Sequence, residues 1–215
     1  MIESELDRIL ETIDEAKAKA IRPDGTGLSQ RQLSVHFDDI YQGYVTKSRS
    51  IRSKLYKVNR KAAHQVHSDF RELKKEEVFV TNALRLHEMY FANISRGNEA
   101  PAKIKDFIRS YGNMTINEWK KEFTACALSA RGWTVMGFDC EEHKIKHYIM
   151  DSHDSGVMVG VIPLLVCDTY EHAYLLDFGA NKDKYVEWFV NHVKWSEVIH
   201  RINETPGVHI DVITD

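Results

Sequence analysis

The sequence predicts an α+β fold: an N-terminal helical region built on a long α-hairpin, then an α/β domain with a three-stranded antiparallel sheet. Two observations predict it. Apolar residues recur at helical spacing through most of the first 95 positions. Between residues 132 and 168 the texture changes to three short strand-like runs, "GWTVMGFD", "KIKHYIM" and "GVIPLLVCD", separated by turn-rich segments. Helical patterns then resume, so helices and a small sheet share the second half.

Taken in order, residues 3–20 read as a charged amphipathic helix with Leu6, Ile9, Ile13 and Ala16 on one face. The loop "RPDGTGLS" breaks it, and Ser29 is placed to cap the next helix. There Leu33, His36, Phe37, Ile40, Tyr41, Tyr44 and Val45 keep helical spacing. A further helix over 69–95 carries Val80, Ala83, Leu84, His87, Tyr90 and Phe91 as its stripe, and "SRGNEAP" ends it. Shorter helices follow over 102–110 and 115–130. The first two strands are close enough to form a hairpin through "CEEH". After the third, "KDKYVEWFVNHV" and "WSEVIHRI" return to helix. The division expected is an N-terminal extension (1–27), a helical hairpin (28–97), an α/β domain (98–203) and a tail (204–215).

The 215 residues are enough for a sizeable core, with 43% hydrophobic and 28% charged residues. A formal net charge of −3 argues against a nucleic-acid partner bound mainly by electrostatics, and leaves room for a local basic patch. No window approaches the roughly 18 apolar residues of a membrane span. The acidic, helical start is unlike a signal peptide. Three cysteines, Cys126, Cys140 and Cys167, without CxxC spacing, fit a reducing cytoplasm rather than a disulfide framework.

The chemistry concentrates in "LLVCDTYEHAYLL", residues 164–176, where an apolar run stops at Asp168 and His172 follows. A buried carboxylate is costly unless a cation or hydrogen bonds meet it, so Asp168 either has just reached solvent or faces a positive partner. His36 and His87 each lie in the apolar stripe of their own helix. Singly, each reads as a hydrogen-bonded core histidine; on two helices packed antiparallel, both imidazoles could meet in one interior site. Three imidazoles and one carboxylate would suit iron, manganese or zinc. His64 and His67 sit among cations and read as exposed. His143 and His147 read as lying together on a charged strand surface, and His192, His200 and His209 as surface residues. His153, just before the third strand, could turn toward the site.

These residues resemble the iron/manganese superoxide dismutase family. "DTYEHAYLLDF" resembles its signature and supplies Asp168 and His172 as ligands; "HFDDIYQGYV" supplies His36 and, eight residues on, Tyr44; "ALRLHEMYF" supplies His87 with Tyr90. "YGNMTINEWKKEFTACALSARGWTVM" places Trp133 against the pocket, and "NKDKYVEWFVNHVKW" matches the closing helical region. The resemblance spans about residues 28–203. It implies disproportionation of superoxide to dioxygen and hydrogen peroxide at one iron or manganese ion per subunit. It also implies that His153 and Tyr44 tune the site and gate its channel, and that Trp133, Tyr90 and Tyr170 wall the pocket. Glu171 would bridge to the ligand histidine of a partner subunit in a homodimer or dimer of dimers, and Lys182 would steer the anionic substrate. Tyr170 stands where the family usually has tryptophan, and Ile40 and Leu175 replace a histidine–tyrosine gateway pair. Val166 and His153 lie where metal preference could be tuned. A competing reading is a metal-binding or interaction protein on the same fold without dismutase activity.

Overall fold

A computed structural model describes residues 28–208 apart from Arg96, Asn98, Val157 and Met158. The expected extension over residues 1–27 lies outside the described residues, as does His209. The chain enters through α1, Gln30–Ser34, capped by the Ser29 hydroxyl, which accepts from Gln32 N at 3.0 Å. Without leaving helical dihedrals it loosens into a π-helical stretch, Val35–Tyr41, and tightens again into α2, Gln42–Lys57. After a short 3₁₀ turn at Arg60–Ala62, the Ser68 hydroxyl caps α3, Asp69–Ala92. Phe37 meets Phe91 while Tyr44 meets Phe79, so the two long helices run antiparallel.

The helix expected over 69–95 stops at Ala92. Asn93 leaves it because its polar groups are used elsewhere: its side-chain nitrogen donates to Val166 O at 2.9 Å, its side-chain oxygen accepts from Arg201, and its main-chain oxygen accepts from Lys194 N at 2.6 Å. Ile94 then bridges Val193, which also ends the helix expected to run through 193.

In the second half, α4 is Ala102–Gly112 and α5 is Ile116–Ser129. A reciprocal Thr115–Glu118 capping box opens α5. Strands β1 (Trp133–Asp139), β2 (Lys144–Met150) and β3 (Val161–Asp168) form one antiparallel sheet in the order β2-β1-β3. Central β1 is buried along nearly its whole length, whereas β3 tolerates Pro163 because it lies at an edge. A 3₁₀ turn, Glu171–Ala173, leads to α6 (Leu175–Phe178), α7 (Lys182–Asn191) and α8 (Trp195–Glu204). Trp119, Trp133, Phe123, Phe138, Tyr185 and Phe189 are fully buried and fill the space between sheet and helices.

Two histidine expectations change. His143 lies in the hairpin turn at φ 52°, not in a strand. His147 shares the inward face of β2 with buried Ile145, and its side chain is 1% exposed between Trp119 and Phe123, with Nδ1 2.9 Å from Glu122. Period-two alternation, rather than the flanking lysines, decides where it points. His192 is likewise half-buried, its ring stacked on Trp188, while His64, His67 and His200 are exposed as expected.

Candidate metal centre

Four separate elements deliver one cluster: His36 from the π-helical stretch, His87 from α3, Asp168 from the end of β3 and His172 from the 3₁₀ turn after it. One ligand atom from each lies within 4.8 Å of the others. The Nε2 atoms of His36 and His172 are each 3.1 Å from Asp168 Oδ2, and that of His87 is 3.7 Å away. His36, His87 and Asp168 are fully buried, and the His172 side chain is 25% exposed, so the cluster opens only on that side.

Local chemistry sets each donor. His87 Nδ1 sits 2.6 Å from Ala83 O, one helical turn back. A carbonyl can only accept, so the proton is on Nδ1 and the Nε2 lone pair faces the cluster. Asp168 is held from three directions. Its Oδ1 accepts from Tyr170 N at 2.9 Å, its Oδ2 faces the imidazoles, and its main-chain oxygen accepts the Tyr185 hydroxyl at 2.6 Å. Tyr185 has one proton and spends it there, so at 3.1 Å it is Tyr90 that donates to Tyr185. Gly132 makes room for the Tyr170 ring: a Cβ there would stand 3.0 Å from its hydroxyl end and 2.8 Å from Met150 O. The Tyr170 ring stacks on His172 at 5.2 Å.

Beside the cluster, Trp133 Nε1 donates to His153 Nδ1 at 2.9 Å, and His153 Nε2 lies 2.9 Å from the Tyr44 hydroxyl. Because Trp133 can only donate, neutral His153 carries its proton on Nε2 and donates it to Tyr44. The Tyr44 hydroxyl proton is thereby left to point elsewhere. Asn82 fixes His153 by donating to its carbonyl at 2.7 Å.

Burial dominates the electrostatics. It lowers the pKa of His36, takes His87 to about 3 and His153 to about 4, against the opposing pull of Asp168. For Asp168 burial acts upward, but the His172 and His36 imidazoles set against it outweigh it and hold the carboxyl well below the usual range. Burial also raises Tyr44 and takes Tyr170 to about 12, with the Asp168 charge adding to both. His36 and His87 are thus held neutral beside one carboxylate.

That donor set fits a metal ion. Among the described residues, both ring nitrogens of His36 and Nε2 of His87 are buried without hydrogen-bond partners, a state costly for a protein interior, and a cation would take the lone pair each ring offers. Three nitrogens and one oxygen suit iron, manganese or zinc. The neighbouring thiol does not join: Cys167 Sγ turns to the main-chain oxygen of Asp168, and burial raises its pKa.

Other expected site residues stand apart from the cluster. Glu171 is exposed, and its carboxylate takes part in no hydrogen bond or ion pair among the described residues. The Lys182 ammonium is half-buried and donates to the Ala130 carbonyl, and burial lowers its pKa. Leu175 is 47% exposed and Ile40 half-buried.

Three residues absent from the sequence reading matter here: Tyr185, Asn82 and Gln32. Gln32 is 1% exposed and clasps the segment carrying His172 at two points. Its amide nitrogen donates to His172 O at 2.5 Å, and its amide oxygen accepts from Leu176 N at 3.0 Å. Ser29 N adds a third tie, to the Asp177 carboxylate.

Residues 101–201 match the family described as iron/manganese superoxide dismutases, C-terminal domain. The iron superoxide dismutase of Aquifex aeolicus is 34% identical over 184 residues, covering 83% of this chain and 85% of that protein. That of Cupriavidus metallidurans is 28% identical (82% and 89% covered), and a manganese superoxide dismutase of Halobacterium salinarum is 27% identical (82% and 88%).

Proposed function

Because the chain belongs to the iron/manganese superoxide dismutase family, we propose that His36, His87, Asp168 and His172 hold one iron or manganese ion, at which superoxide is disproportionated to dioxygen and hydrogen peroxide. The observation that carries this is the meeting of three imidazole nitrogens on one buried carboxylate oxygen. An ion bound there supplies the redox chemistry, an alternation of trivalent and divalent states that takes an electron from one superoxide and gives it to the next.

The chain's own residues do the rest. Asp168 offsets part of the cation's charge. The Tyr170 N–H bond keeps its carboxylate from rotating and the Tyr185 hydroxyl bond holds its main chain, which keeps the ligand geometry fixed. Trp133 and Asn82 hold His153, His153 holds Tyr44, and the free hydroxyl proton of Tyr44 is the one available to an incoming anion. Trp133, Tyr90 and Tyr170 wall the pocket. Lys182 is the cation that draws superoxide toward it, and the half-exposed side of His172 is the entrance.

We also propose a homodimer formed around the 171–176 segment, in which Glu171 reaches the partner's site. An unpaired carboxylate there lies beside Leu175 and Leu176, which are 47% and 49% exposed. Apolar Ile40 and Leu175 would meet in place of a polar gateway. Glu171→Ala should then lower the sedimentation coefficient toward that of a single chain; an unchanged profile removes the bridge.

The deciding experiment is a superoxide-decay assay on protein loaded separately with iron and with manganese, alongside metal content. Activity with at least one metal is expected, and one ion per chain. Asp168→Ala and His87→Ala should each cut bound metal below about a tenth and activity at least 100-fold, since removing one ligand leaves buried partners unpaired. Full metal content without activity in the unaltered chain would establish the non-dismutase alternative instead.

A further inference from the structure

The far end of the helical hairpin concentrates a charge that the net total conceals. From Thr46 to Ser68 the chain carries Lys47, Arg49, Arg52, Lys54, Lys57, Arg60 and Lys61 and no carboxylate. All seven are exposed, and none forms an ion pair among the described residues. The contrast with α3 is direct: Arg71, Lys74 and Lys75 are each paired with Glu72 or Glu77. Glu72 and Glu77 are thus engaged by the cations of α3, Asp69 and Glu76 line a depression beside Lys54 and Lys57 without pairing with them, and the other cations of α2 and the connecting loop face water.

The patch has a shape and an aromatic element. On α2, five cations lie between positions 47 and 57, a length of about 15 Å at helical rise. They flank and cover the surface opposite Val45, Ser48 and Ile51, which are buried. Tyr56, 83% exposed, shares a shallow depression with Arg52, Leu55, Arg60, Phe70 and the Lys74–Glu77 ion pair. The Arg60 guanidinium is steadied there by donating to Leu55 O at 3.1 Å.

We propose that this tip binds single-stranded nucleic acid, the cations tracking the phosphodiester backbone and Tyr56 stacking on an unpaired base. A row of unpaired cations with an aromatic face among them is the combination that single strands require. A membrane surface is the poorer match, because the apolar face of α2 is turned against α3 and offers the bilayer no stripe to insert. A second copy of the tip would be repelled by like charge. The chemistry is shared by RNA and DNA.

The test uses the full chain loaded with iron or manganese, and fluorescein-labelled dT20 and rU20 as probes. Controls are a 20-base-pair duplex, vesicles of phosphatidylcholine with phosphatidylserine, and polyglutamate. Binding to at least one single strand is expected at 50 mM salt. The logarithm of its affinity should fall with the logarithm of salt at a slope of about −3, as for about four phosphates. Tighter binding of rU20 or of dT20 identifies which nucleic acid is the source. Tyr56→Ala should weaken single-strand binding about 10-fold with the salt slope retained. The triple variant Arg52→Glu, Lys57→Glu, Arg60→Glu should abolish binding while the melting temperature stays near that of the unaltered protein. No binding to either strand overturns the proposal. So does equal binding to duplex, vesicles or polyglutamate that Tyr56→Ala leaves unchanged.

Discussion

At the scale of single residues, Asp168 illustrates how the centre is specified, because all three of its oxygens are committed. The four residues of the cluster were legible in the sequence through the motifs that resemble one family, because singly His36 and His87 read equally as hydrogen-bonded core histidines. Their supports were not legible. Gln32, Asn82 and Tyr185 act by hydrogen bonds with main-chain atoms 71 to 144 residues away or, for Tyr185, 17 away. Such bonds place no demand on sequence spacing. Gln32→Leu, close in volume but without donor or acceptor, should weaken metal binding about 10- to 100-fold in a chelator competition. It should also cost about 1–3 kcal/mol in urea unfolding, from the groups left unpaired. Unchanged metal affinity would show that Gln32 does not position His172.

At the scale of elements, the hairpin and the strands followed from periodicity, and their bounds shifted only where Asn93 and Val193 tie the two halves together. The π-helical stretch did not follow. Leu33, His36, Phe37, Ile40, Tyr41 and Tyr44 satisfy α-helical spacing, and a wider turn buries nearly the same set. Its effect is geometric: it sets the rotation between His36 of the cluster and Tyr44 across an irregular turn. Deleting exposed Asp39 should let the rod relax toward α-helix and turn Tyr44 by about 100° relative to His36. Such a protein is expected to keep its helical circular dichroism and lose at least 100-fold in dismutase activity. His147 was misread for a related reason, since Lys144 and Lys146 beside it describe the opposite face of β2, and α5 lies over the inner one.

At the scale of the whole molecule, buried histidines make stability depend on pH. His36, His87, His147 and His153 all have pKa values lowered chiefly by burial. Below about pH 6.5 the unfolded chain takes up protons that the folded chain refuses, so stability falls as pH drops from 6.5 toward the folded values. Asp168, also lowered, adds to the loss only at much lower pH. For metal-free protein, moving from pH 7.5 to pH 5 should lower the urea midpoint, with His87 alone accounting for about 2 kcal/mol. A midpoint independent of pH over that range would contradict the neutral-imidazole cluster.

The uneven charge of the hairpin has a consequence at the bench. A sequence isoelectric point near 6.4 suggests a protein that, at pH 7.5, binds anion exchangers and flows through cation exchangers. Yet the Thr46–Ser68 segment holds seven cations, unpaired among the described residues, leaving the remainder of the chain at −10. Resins respond to the face that approaches them rather than to the sum. The protein should therefore be retained by both kinds of column at pH 7.5. Reversing Arg52, Lys57 and Arg60 to glutamate should abolish retention on the cation exchanger while leaving the anion exchanger's hold intact or stronger.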